Sequence, residues 1–180
     1  MTAKKIVVIG PESTGKSSLC EYLAIHFKTK WCPEYARTYL TENGKSYNYD
    51  DLLNIAQQQL QLEDKYTNSL IDEVEKPLLF IDTDMYVMKV WCEYGFQKCH
   101  HFILEAISSR KYDLYLLCNV DLPWIQDELR EYPDDATRKE LFQIYKDLLV
   151  NQSTPWLIIS GGFEEREKVA IDAVNKLLHQ

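Results

Sequence analysis

The stretch Val7-Val8-Ile9-Gly10-Pro11-Glu12-Ser13-Thr14-Gly15-Lys16-Ser17-Ser18 constrains this chain more than any other part of it. A run of β-branched residues passes into a loop bounded by glycines and ends on a lysine and two serines. Gly10 to Ser17 fits G-x-x-x-x-G-K-[ST], and it sits after an apolar strand pattern and before a helical one, as its mechanism requires. The two glycines permit backbone angles that wrap the chain around an anion with successive N–H groups pointing inward. The helix N-terminus that follows adds favourable partial charge. Lys16 can reach terminal phosphates, and the Ser17 hydroxyl suits a Mg²⁺ ligand. Gly10, Pro11, Glu12, Ser13, Thr14, Gly15, Lys16, Ser17 and Ser18 are therefore the expected nucleoside triphosphate site.

The rest of the composition narrows the class. With 180 residues, 46% of them hydrophobic, the expectation is one globular domain over residues 1–180. A net charge of −8 and a pI near 5.0 argue against a nucleic-acid surface. Five cysteines, none in C-x-x-C spacing, point to reduced thiols. No apolar stretch approaches the ~18 residues of a membrane span. A soluble, cytoplasmic protein is the expectation, and the sequence does not fix its oligomeric state.

Ile6–Ile9, Leu78–Ile81, Leu114–Leu117 and Trp156–Ile159 are short apolar runs without alternation, the pattern of parallel strands covered on both faces. Lys30–Cys32 is a weaker fifth, stopped by Pro33. Helical spacing fills the intervals at Ser17–Phe27, Tyr49–Glu75, Met85–Tyr94, His101–Lys111, Ala136–Val150 and Glu164–Leu178. In the second of these, Leu52, Ile55, Ala56, Gln59, Leu60 and Leu62 share a register. Strands alternating with helices give an α/β fold with a mainly parallel sheet.

Three further places carry candidate chemistry. Leu78-Leu79-Phe80-Ile81 ends in Asp82-Thr83-Asp84, and residues two apart on a strand share a face. One carboxylate is expected to support Mg²⁺ and the other to contact a substrate hydroxyl, unless Thr83 or Asp84 caps a helix. Glu34 and Arg37 would share a helical face after Pro33, either as proton acceptor and positioning cation or as an ordinary surface ion pair. Residues 121–140, charged and interrupted by Pro123 and Pro133, occupy the place of a closing lid, with Arg130 and Arg138 as candidate phosphate-neutralising cations. The Gly161-Gly162 turn is a candidate place for the adenine. Cys99-His100-His101 is no metal motif, because adjacent side chains on a helix splay apart. Cys118-Asn119-Val120-Asp121 lacks the lysine and the spacing of a GTP-selective Asn-Lys-x-Asp.

Gly10-Pro-Glu-Ser-Thr-Gly-Lys-Ser17, Glu34-Tyr35-x-Arg37, Phe80-Ile81-Asp82-Thr83-Asp84 and Trp124-x-x-Asp127-x-Leu129-Arg130, with Arg138 downstream, occur in one order across roughly Lys5 to Leu178. In this the chain resembles the ribosylnicotinamide kinase domain of NadR-type NAD biosynthesis proteins. The resemblance implies a P-loop NTPase fold of the nucleoside-kinase type, with five parallel strands in the order 2-3-1-4-5 and a lid. It implies a kinase, dependent on ATP and Mg²⁺, that phosphorylates the ribose 5′-hydroxyl of nicotinamide riboside. Lys16, Glu34, Asp84, Arg130 and Arg138 are then the expected catalytic residues. Glu34, Tyr35, Arg37, Asp82, Asp84 and Trp124 are expected to bind the acceptor, and Ser17 and Asp82 the metal. Either Glu34 or Asp84 would take the proton. No His-x-Gly-His signature occurs, so adenylyl transfer and operator binding are not expected of these residues. The alternative is a P-loop ATPase or nucleotide-dependent switch acting on a protein partner.

Overall fold

The computed structural model describes residues 3–73 and 77–179. Five strands form one parallel sheet in the order β2-β3-β1-β4-β5: β1 (Lys4–Ile9), β2 (Lys30–Cys32), β3 (Leu78–Asp82), β4 (Leu114–Cys118) and β5 (Trp156–Ile159). The helices are α1 (Lys16–His26), α2 (Tyr35–Asn43), α3 (Tyr49–Glu73), α4 (Met85–Phe96), α5 (His101–Ser109), α6 (Asp135–Val150) and α7 (Phe163–Leu178). The expected end of the third helix, at Glu75, lies outside the described residues.

The unbroken apolar run of β1 follows from its central position. Ile6 and Val8 face α1 and α7, where they pack with Leu19, Leu23, Ala170 and Val174. Val7 and Ile9 face the other way, among Leu79, Val90, Leu141, Phe142 and Leu149. Both faces are covered, so no polar residue alternates. A third cluster joins α2 to α5 through Ala36, Leu52, Ile55, Met85, Met88 and Ile103, building a wall beyond β3.

The strand order reverses at β1, which lies between β3 and β4. The crevice at the carboxyl ends of those strands is where ligands bind in open α/β sheets. The chain there makes two turns that require glycine. Gly10 has φ 145°, and a β-carbon on it would stand 2.7 Å from the Cys118 carbonyl of β4. Gly15, with φ 77°, ends the loop in the left-handed region and caps α1.

Candidate phosphate-binding and acceptor site

The loop from Gly10 to Ser18 forms one end of a cavity of about 400 Å³. Beyond the loop it is lined by Trp31, Glu34, Arg37, Trp91, Tyr94, Tyr132 and Tyr145, with Asp82 against the loop itself and Arg130 and Asp127 also on the lining. One chamber thus joins a polar cradle to an aromatic compartment.

Two buried arginines set the shape of the cradle. Each is the fourth residue of its helix, Arg138 in α6 and Arg166 in α7. Arg138 Nη2 donates to the Ser13 carbonyl at 3.1 Å, and Arg166 Nη1 to the Thr14 carbonyl at 2.9 Å. In a trans peptide the carbonyl and the following N–H point in opposite directions. Drawing these two carbonyls outward turns the N–H groups of Thr14 and Gly15 toward the cavity. Arg166 also donates to the carbonyls of Gly161 and Asn119 and pairs with Asp121, so one side chain ties together the phosphate loop, the end of β4 and the β5–α7 turn. Replacing it with methionine leaves those acceptors and the Asp121 charge unmatched. Arg166→Met is expected to lower the unfolding free energy by about 3–5 kcal/mol, read by urea denaturation.

On the floor, the Ser17 hydroxyl donates to Asp82 Oδ2 at 2.5 Å, while Asp82 Oδ1 is buried without a hydrogen-bond partner among the described residues. Burial raises the Asp82 carboxyl, against the pull of Lys16 and the Ser17 bond. Lys16 Nζ rests on the Pro11 carbonyl at 2.9 Å, within the cavity wall. Glu34 faces the same space. Its carboxyl is pushed up to about 7, first by burial and then by the Asp82 carboxylate, with Lys16 acting in the opposite direction.

The segment between β4 and α6 docks onto the loop. Glu12 Oε2 accepts the N–H groups of Glu131 (2.9 Å) and Tyr132 (3.1 Å). Ser13 Oγ accepts the Ile125 N–H (2.9 Å) and a bond from Arg130 (3.3 Å). From α2, Arg37 reaches Asp127 at 2.5 Å and holds that carboxyl below its usual range.

Several sequence expectations need correcting. Asp84 does not join Asp82 at the cavity. Thr83 has φ 78°, which breaks the strand alternation, and Asp84 then caps α4 through the Tyr86 N–H (2.9 Å) and accepts the Tyr115 hydroxyl (2.8 Å). Burial raises this carboxyl also, to about 7. Arg138 is buried at 4% exposure beneath the loop and does not line the chamber. Trp124 lies off the wall too, with the Arg130 and Arg138 guanidinium carbons 5.8 and 5.6 Å from its ring centroid. Tyr35 packs into the α2–α5 cluster. Arg37 pairs with Asp127 and not with Glu34. The segment expected as lid, residues 121–140, includes the first turns of helix α6, which starts at Asp135. Arg166 and Gln59 were not singled out as site residues. A basic residue in the first turns of a helix runs against the helix dipole, and that is the sequence signal Arg166 left unread.

This sheet order, with the loop after its central strand and a chamber beside it, defines a P-loop nucleotide-binding domain with the kinase fold. The chain belongs to the AAA domain family AAA_28, whose profile matches residues 5–166. It is 30% identical to the trifunctional NAD biosynthesis/regulator protein NadR of Escherichia coli (strain K12) over 183 aligned positions, 97% of this chain and 43% of that protein. The chain thus spans less than half the length of the curated relatives it matches. Among solved structures, a NadR protein in complex with NR aligns with a TM-score of 0.80 at 24% identity, covering 98% of this chain and 50% of that one. A NadR protein in complex with NAD and AMP-PNP gives 0.76 at 23% identity, covering 99% and 50%. At those identities the structural likeness is one of fold. Among the described residues, no helix is long and apolar enough to cross a membrane.

Proposed function

We propose that this chain is an ATP-dependent kinase that phosphorylates the ribose 5′-hydroxyl of nicotinamide riboside, giving nicotinamide mononucleotide. The observation that carries the reading is the continuous chamber from the phosphate loop to Glu34 and the aromatic wall. An ATPase acting on a protein partner needs no aromatic-lined compartment beside its phosphates. The relative's role in NAD biosynthesis, and the matched structures with NR and with AMP-PNP, support the same choice of substrates.

In this reading the inward N–H groups and Lys16 hold the triphosphate, with Lys16 leaving the Pro11 carbonyl to do so. Glu34 accepts the hydroxyl proton as that oxygen bonds to the γ-phosphorus, the bond to the bridging oxygen breaks, and ADP leaves. Asp84 is not given the proton, because Tyr115 and the Tyr86 N–H already occupy its oxygens. Arg130 supplies positive charge from above, and residues 121–134 act as the lid. The aromatic side chains offer faces to the nicotinamide ring.

The residues fit Mg²⁺. Asp82 Oδ1, without a hydrogen-bond partner among the described residues, and the adjacent Ser17 hydroxyl are hard oxygen donors, and this ion is usually held by one or two carboxylates with phosphates completing its shell. When bound, it would neutralise charge on the β- and γ-phosphates. All five cysteines are free thiols, four of them buried, which accords with a reducing, cytoplasmic setting.

Incubating the purified chain with ATP, Mg²⁺ and a nucleoside panel tests the proposal. Nicotinamide mononucleotide is the expected product by chromatography. Slow ATP hydrolysis indifferent to every nucleoside would replace this reading with the ATPase or switch.

A further inference from the structure

Gln59 lies on α3 within the apolar stripe of Leu52, Ile55, Ala56 and Leu60, and it is 1% exposed. An amide at that depth is costly, about 1–3 kcal/mol, unless its polar atoms are bonded, so its partners show what it serves. Its Oε1 accepts the Tyr35 N–H at 2.7 Å, and its Nε2 donates to the Pro33 carbonyl at 3.3 Å. Those two groups flank Glu34, one on either side.

Glu34 is the N-cap of α2. An N-cap side chain ordinarily turns back to accept an N–H of the first helical turn. Glu34 makes no such bond. Gln59 instead satisfies the first N–H of that helix, leaving the Glu34 carboxylate for the cavity wall beside Lys16 and Asp82.

We infer that Gln59 is a positioning residue for phosphoryl transfer. It clamps the backbone on both sides of Glu34 and so holds the Glu34 carboxylate toward the acceptor hydroxyl. This rests on the role of Glu34 as proton acceptor proposed above.

The test compares wild type, Glu34→Gln, Gln59→Met and the double variant for kcat, both KM values and the thermal midpoint. Methionine keeps the volume and removes both of these backbone bonds, together with the Nε2 bond to Cys32 Sγ at 3.6 Å. Gln59→Met is expected to lower kcat about ten- to a hundredfold, with KM for ATP unchanged. The double variant is expected to be no slower than Glu34→Gln alone, since nothing would remain to be positioned. If Gln59→Met does not fold, Gln59→Glu, which keeps the acceptor for the Tyr35 N–H, carries the same comparison. A lowered midpoint with normal kcat makes Gln59 a packing residue only and overturns the inference, leaving the role of Glu34 standing. Costs that multiply in the double variant overturn it in the same way. Full activity of Glu34→Gln removes Glu34 as base and takes the inference with it.

Discussion

Lys16→Ala is expected to lower phosphoryl transfer by about 10²–10³-fold or more while leaving the fold intact. In the proposed reading the cradle supplies backbone dipoles, and Lys16 would be the cation that meets the terminal phosphates. Removing one preorganised donor aimed at developing charge costs on that scale in a dry site. The side chain is only half-buried, and its bond to the Pro11 carbonyl is replaceable by water. The unfolding free energy from urea denaturation should therefore stay within about 0.5 kcal/mol of wild type. Rates measured by product formation beside that denaturation curve check both halves, and a fully active variant removes the loop from the phosphate site.

Glu34→Gln is expected to lower kcat by about 10²–10⁴-fold, the usual range for a lost general base. Its pH behaviour distinguishes it from a merely local disturbance. The groups facing Glu34 are Asp82 on β3, Lys16 and Glu12 on the phosphate loop, and Arg37 on α2. With the carboxyl pushed up to about 7, wild-type kcat/KM should rise with pH and level off above that value, since the base acts only when ionised. The variant should lose this limb. Stability supplies a second sign. A carboxyl that binds its proton more tightly folded than unfolded gives stability at low pH that fades between its ordinary 4.5 and about 7. Glu34→Gln should abolish that decline, and denaturation curves across the interval test it without any substrate.

The parts of this protein that local chemistry determines could be read in advance. The strands β1, β3 and β4 announce themselves because burial on both faces excludes polar residues, whereas β5, at the sheet edge, keeps an apolar run although Ile158 is exposed. The phosphate loop does so because its geometry demands glycine at positions 10 and 15. Asp84 was misread because strand alternation was carried one residue too far, past the left-handed Thr83. Helix α2 was conditional on Pro33, since nine residues offer little periodicity. Arg138 looked like an exposed lid cation. Its burial depends on loop carbonyls 125 residues earlier, which no local pattern encodes. Gln59 left a trace, a polar side chain in an apolar stripe, but what it clamps is visible only when α3 is laid against the β2–α2 corner.

The two arginines beneath the loop have a consequence for biosynthesis. Arg166 joins the Thr14 carbonyl across 152 residues, so the loop is synthesised well before the helix that holds this carbonyl in place. Nascent chains stopped before α7 should carry an intact Gly10–Ser18 motif and yet fail to retain nucleotide. Acquisition of ATP affinity would then report the docking of α7, and a tethered fluorescent nucleotide would time it.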